Sequence, residues 1–238
     1  GNTIVDRFTE RFPGGFDLNL GRASTAFVGD SSTYGFISPI AGTRYRYELE
    51  TLRGDLNFTA ALADWRKYFF KRPFTLAVRG LHYGRYGDGA DDTRLSPLYL
   101  GQGSIMRGYD PYSINVGECG PTASTVCPVF DRLVGTRIAH ASVELRAPLL
   151  GTREFGLIDA PFVPTEIFTF ADAGAAWSQG ESVTWEFETD SEKRVPVFSV
   201  GLGLRILLSY IPIEIYAAKP FQRPDESVVY GFNIIPGW

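Results

Sequence analysis

Three side chains that could do chemistry alternate along one short stretch, "IAHASVELRAP": His140, Ser142 and Glu144. A base, a hydroxyl and a carboxylate are the parts of a hydrolase, but nucleophile and base must touch. Residues two apart along a strand sit about 7 Å from each other, which is too far for a direct Ser–His contact. No G-x-S-x-G elbow occurs. His140 reads instead as a polar residue that hydrogen-bonds its surroundings. A pair of carboxylates, Glu144 and Asp172, is the other arrangement that could do acid–base work. Cys119 and Cys127 lie eight residues apart in the polar loop "ECGPTASTVCP". With no further Cys or His nearby for a metal, the pair suggests a disulfide and an oxidising compartment, with two free thiols as the alternative. One cation stands apart. Arg107 sits in "LYLGQGSIMRGYDPY", a Gly-rich and nearly uncharged run between two alternating segments.

The rest of the chain has to supply the elements that place these groups. Its 238 residues suffice for one large β-domain or two small ones. A net charge of -4 argues against a nucleic-acid partner. Glycine (26), tyrosine (12) and phenylalanine (18) are abundant, while methionine (1) and histidine (2) are scarce, which suits strands and tight turns better than helices. No apolar run reaches the roughly 18 residues of a spanning helix, a test that leaves a β-barrel open. The sequence starts at Gly1 with no signal peptide or initiating Met, so a processed or truncated chain is expected.

Alternation with period two is the dominant pattern. In "RYRYELETL", Arg44, Arg46, Glu48 and Glu50 oppose Tyr45, Tyr47, Leu49 and Thr51. His140, Ser142, Glu144 and Arg146 oppose Ala139, Ala141, Val143 and Leu145. In "VFSVGLGLRILL", Ser199, Gly201, Gly203 and Arg205 oppose Phe198, Val200, Leu202, Leu204 and Ile206. Further strands are expected at 3–12, 16–29, 55–66, 73–86, 164–177, 211–219 and 227–238, which makes ten within a range of eight to twelve. The polar faces mix Arg, Glu, Asp and Gly, and the apolar faces end in aromatics. A transmembrane antiparallel up-and-down β-barrel is built this way, with a polar interior and a lipid-facing exterior; a soluble barrel or sandwich is the next choice. Placing the long loop 87–136 outside the cell puts 178–195 and the hairpins 12–16, 53–55 and 220–227 outside too. Then 30–41, 67–72, 150–163, 208–211 and both chain ends face the periplasm.

Against this frame "LGQGSIMRGYD" resembles the arginine–glycine–aromatic signature of the BamA/TamA-type outer-membrane assembly and translocation superfamily, the bacterial surface antigen family. "VELR", "FADAG", "GLGLR" and "IEIYAAKPF" resemble that family's twelfth to fifteenth strands, and "SPIAGTRYRYELE" the start of an earlier one. The resemblance covers most of the chain from about residue 30. It implies that a long extracellular loop folds into the lumen with Arg107, Gly108 and Tyr109 at its tip. A charge confined there has to be paired, and the lumen-facing strands offer Asp172 first and then Glu144. Pairing accounts for these carboxylates more simply than catalysis does, so no enzyme is expected. Arg146 and Arg205 would complete a charge network. Tyr109 is expected to pack on the wall glycines Gly174, Gly201 or Gly203.

The resemblance also implies a function: non-enzymatic insertion of outer-membrane proteins, or passage of polypeptides or lipids, through a lateral seam in the outer membrane of a Gram-negative bacterium or a related organelle. Its partners would be outer-membrane lipids together with client barrels or a periplasmic or barrel partner, with no cofactor and no metal. The chain departs from the family in two ways. It has about ten strands where sixteen are usual, and residues 1–238 read as one barrel domain without polypeptide-transport-associated repeats. Pro236 in the last strand removes a ladder donor and is expected to weaken the final pairing. The competing reading is a small-solute porin or a structural barrel subunit, with luminal Arg and Glu setting selectivity.

Overall fold

The computed structural model describes residues 3–11, 17–119, 127–152, 154, 156–160, 162–189, 191 and 193–234. Ten strands follow one another along one antiparallel sheet in chain order. They are β1 (Thr3–Arg11), β2 (Asp17–Asp30), β3 (Pro39–Gly54), β4 (Phe58–Lys71), β5 (Phe74–Tyr86), β6 (Arg137–Gly151), β7 (Thr165–Trp177), β8 (Val197–Leu208), β9 (Ile211–Pro220) and β10 (Val229–Ile234). Two short strands pair at the ends of interior strands: Thr33–Tyr34 with the start of β3 and Ile158–Asp159 with the end of β6. Among the described residues helix is confined to a single turn at Pro128–Asp131 and 3-10 turns at Pro111–Ser113 and Val116–Cys119. Strands rich in β-branched and aromatic residues favour this all-β arrangement.

Several boundaries differ from the sequence expectation. β4 is shifted by several residues, because Asp55–Asn57 forms the preceding turn and Arg72–Pro73 alone turns the chain back into β5. The expected linker 67–72 is therefore mostly strand. β3 begins at Pro39 and β6 runs to Gly151, both longer than their alternating cores suggested. Residues 12–16 and 235–238, with the loop expected at 12–16, Pro236 and the terminal aromatic, lie outside the described residues.

Register places the alternating residues on one face. Arg79 opposes Ser142, Ser142 opposes Asp172, and Asp172 opposes Ser199. The segment 98–135 lays its residues 98–109 and 133–135 on this inner face. Its two legs pair as Leu98–Tyr99 with Val134–Gly135, and the Leu100 N–H donates to Leu133 O at 2.8 Å.

The sheet is curled around that segment. Asn233 of β10 donates to Gly103 O at 3.1 Å, and Arg79 of β5 donates to the adjacent Ser104 O at 3.2 Å. Strands five places apart in a flat sheet would be about 24 Å apart. Here consecutive loop residues touch both. At the other end, Ser38, just before β3, accepts from Arg205 of β8 at 3.0 Å. Among the described residues no ladder joins β1 to β10.

Candidate functional site

The loop reaches the sheet as a compact plug. Ile105 and Met106 N–H groups both donate to Gln102 O at 2.8 Å, closing a tight turn. Leu100, Met106 and Tyr109 are fully buried with Leu133, Ile138, Ala176 and Val197. That apolar shell fixes the turn so that Arg107 projects onto the wall.

Arg107 is 3% exposed and spends its guanidinium on three strand residues. Nε and Nη2 donate side-on to the two oxygens of Asp172, each at 2.8 Å. Nη1 donates to Glu144 Oε1 at 2.5 Å, and Nη2 also reaches Ser142 Oγ at 3.2 Å. Ser142 Oγ in turn donates to Asp172 Oδ1 at 2.6 Å. The face of the guanidinium lies 3.7 Å from the Phe170 ring centroid. Paired, forked and stacked, this cation meets the conditions that let a charge leave water. The Arg107 backbone then turns at Gly108, whose φ of +86° is costly for a residue with a side chain. A Cβ there would also come within 3.1 Å of Ala218.

A second tier of charge lies below. Arg146 donates to Glu144 Oε2 at 2.7 Å, and Arg205 bonds Glu166 at 2.7 Å and Glu214 at 2.5 Å. Ser38 donates to Glu166 and Arg146 reaches Pro39 O, so the 31–38 turn is tied into the same network. On the far side Asp64 holds Arg66 and Arg79. Five arginines thus meet five carboxylates in two groups: Arg66 and Arg79 on Asp64, and Arg107, Arg146 and Arg205 on Glu144, Glu166, Asp172 and Glu214. The set is balanced in charge. Each of the five carboxylates is occupied by guanidinium.

The wall glycines and Tyr109 are placed differently from the expected packing. Gly201 and Gly203 lie under the rings of Phe170 and Phe168, and Gly174 lies under Leu100. Tyr109 is not over any of them. Its Oη donates to Phe198 O at 2.9 Å and accepts from the Gln222 N–H at 3.1 Å. The glycines make room for the aromatics of the neighbouring strand, which the arginines then stack on. His140 also departs from expectation. It is buried 3.9 Å from Asp172, with no hydrogen-bond partner among the described residues. Cys119 and Cys127 form a disulfide.

Sequence reasoning missed several contributors. Glu166, Phe168 and Phe170 share the parity of Asp172 in "TEIFTFADAG", so the period-two pattern already placed them inside. Glu214 faces Arg205 across the β8–β9 ladder. Gln222 and Arg223 lie in a turn, where no periodicity marks a buried side chain. Arg223 is nevertheless fully buried and holds Glu118 side-on, at 2.8 Å to each oxygen. Burial alone would raise the Glu118 carboxyl. Hydrogen bonds from Arg223 and the Asn115 N–H, together with the guanidinium charge, hold it below the ordinary 4.5.

The Omp85 superfamily domain profile matches residues 32–237, starting in the turn before β3. The chain belongs to the Omp85 superfamily. No curated protein matches it. The match begins beyond β1 and β2, so the strands that carry the arginine loop and all its partners lie inside the Omp85 region. The family assignment agrees with the outer-membrane assembly theme and with an all-β chain. Among the described residues no helix is long and apolar enough to cross a membrane, which says nothing of strands.

Proposed function

We propose that this chain forms a membrane-spanning Omp85 barrel that inserts outer-membrane proteins, or passes polypeptides or lipids, through a seam between its first and last strands, without enzymatic chemistry. The observation that carries this reading is the Arg107 loop held inside a curled sheet by Asp172 and Glu144. Such a loop supports a wall whose strands can be braced from within.

The outer face supports a lipid environment. Phe27, Leu49, Leu145, Leu202, Ile215 and Phe232 are large, apolar and exposed on six different strands, a patch far larger than a water-facing surface carries. Aromatics mark both ends of the strands. Tyr86, Trp177 and Phe221 stand at the loop end; Phe69, Phe74 and Tyr210 stand at the turn end. Phe74 to Tyr86 on β5 spans roughly 40 Å of strand, about 28 Å of membrane depth at a 45° tilt, close to the ~25 Å apolar band of such barrels. In this orientation the Cys119–Cys127 disulfide lies outside the cell, and both chain ends lie in the periplasm. The plugged, charge-balanced interior argues against a wide pore.

Reconstitution in lipid vesicles tests the reading. The chain should accelerate folding of a small client barrel into the bilayer, and Arg107→Ala should abolish the gain. A chain that leaves client folding at the rate of empty vesicles while conducting ions would overturn the proposal in favour of a porin. Lipid hydrolysis would point to an enzyme.

A further inference from the structure

The three residues of the arginine signature are held from two directions. Arg107 faces β6 and β7, but its neighbours bind the turn between β9 and β10. Arg223 donates to Gly108 O at 2.7 Å, to Ser113 Oγ at 2.9 Å and to Ser113 O at 2.6 Å, and it forks onto Glu118. All five of its N–H donors are thereby directed at the loop. Gln222, also fully buried, takes the Phe198 N–H on its side-chain oxygen at 2.7 Å while its own N–H donates to Tyr109. Asn115 donates to Glu226 at 2.9 Å. Inside the strand itself, Asn233 bonds both Gly103 O and Glu214, each at 3.1 Å.

We infer that Gln222, Arg223 and Asn233 are positioning residues that latch the arginine loop to the last hairpin, so that the loop and the final strand are held or released together. β10 pairs over only six residues, and among the described residues its sole ladder partner is β9. To that ladder the loop adds the Asn233 bond to Gly103 O within the strand and the Arg223 bonds in the turn that leads into it. A lysine at position 223 could not reproduce the latch, since a single ammonium cannot bridge Gly108 O, Ser113 and both oxygens of Glu118. The latch needs no oxidant, ligand or client. Its consequence for activity rests on the proposed seam, where a strand tied to the loop opens only when the loop lets go.

Amide hydrogen exchange on the whole chain in lipid nanodiscs tests the latch without any activity assay, so failure of the latch and failure of the proposed function are distinguishable. Charged hydrogen bonds of this kind control local opening by roughly tenfold or more. Arg223→Gln should speed exchange by roughly that factor in both Gly103–Ser113 and Val229–Ile234, and leave β6 and β7 unchanged. Asn233→Leu should speed exchange in the Gly103 turn from the opposite side. Should Arg223→Gln fail to fold, Glu118→Gln removes the charge from the same contact and keeps the bonds to Gly108 O and Ser113, so it should loosen the same two segments by a smaller factor. Loosening confined to Pro111–Cys119, with Val229–Ile234 as protected as in the parent chain, would overturn the inference.

Discussion

At the scale of single residues, Arg107 is held by geometry that other cations cannot copy. Removing one partner of a buried ion pair typically costs about 3–5 kcal/mol, because the remaining charges are left uncompensated. Arg107→Ala should therefore lower the temperature at which the folded band is lost on unheated-versus-heated gels far more than Arg53→Ala, whose guanidinium caps only the carbonyls of Leu52 and Phe58 near a turn. Equal shifts would count against the pinned loop. Arg107→Lys should recover less than half of the loss, since an ammonium cannot lie side-on to Asp172 and still reach Glu144. Glu118 gives a pH signature. Its value is lowered in the folded chain, so its contribution is complete above the ordinary carboxylate range and is lost as pH falls through the folded value. The melting difference between the parent and Glu118→Gln should thus be the same at about pH 8 and about pH 6, and shrink only below about pH 4. A difference that already shrinks between pH 8 and 6 would assign the latch to another group.

At the scale of elements, glycines and aromatics on neighbouring strands decide the packing. Gly203 lies beneath Phe168, and a Cβ there would stand 2.6 Å from its ring. Gly203→Val raises β propensity yet should destabilise by roughly 1–3 kcal/mol, because the ring that Arg205 stacks on must move. Leu202→Val on the outer face should cost much less. Chemical unfolding of the two variants side by side measures the contrast, and equal costs would remove the role given to the ring. Much of this was legible in the sequence. Period-two alternation sorted Glu144, Arg146, Asp172 and Arg205 onto one face because each face of a strand meets a single environment. Turn residues were harder. Gln222 and Arg223 are buried by a loop that returns from more than a hundred residues away, and no local pattern encodes that encounter. The glycines were read as room for Tyr109, but adjacent-strand rings reach them first, since Phe168 and Phe170 stand directly across the ladder.

At the scale of the molecule, one balanced interior and one apolar exterior define the chain. Arginines and carboxylates pair inside, large apolar side chains face out, and the arginine loop ties β5, β6, β7, β9 and β10 together from within. That arrangement suits a wall stiff over β5 to β9 with a lightly held final strand, as the proposed seam needs. The most direct test is the structure of this chain in a lipid nanodisc. The expected result is lipid against Leu145, Leu202 and Phe232, the first and last strands closing the sheet, and Arg107 within hydrogen-bond reach of Asp172 and Glu144 inside it. A loop lying on the outer surface, with Arg107 in water and Asp172 paired elsewhere, would contradict it.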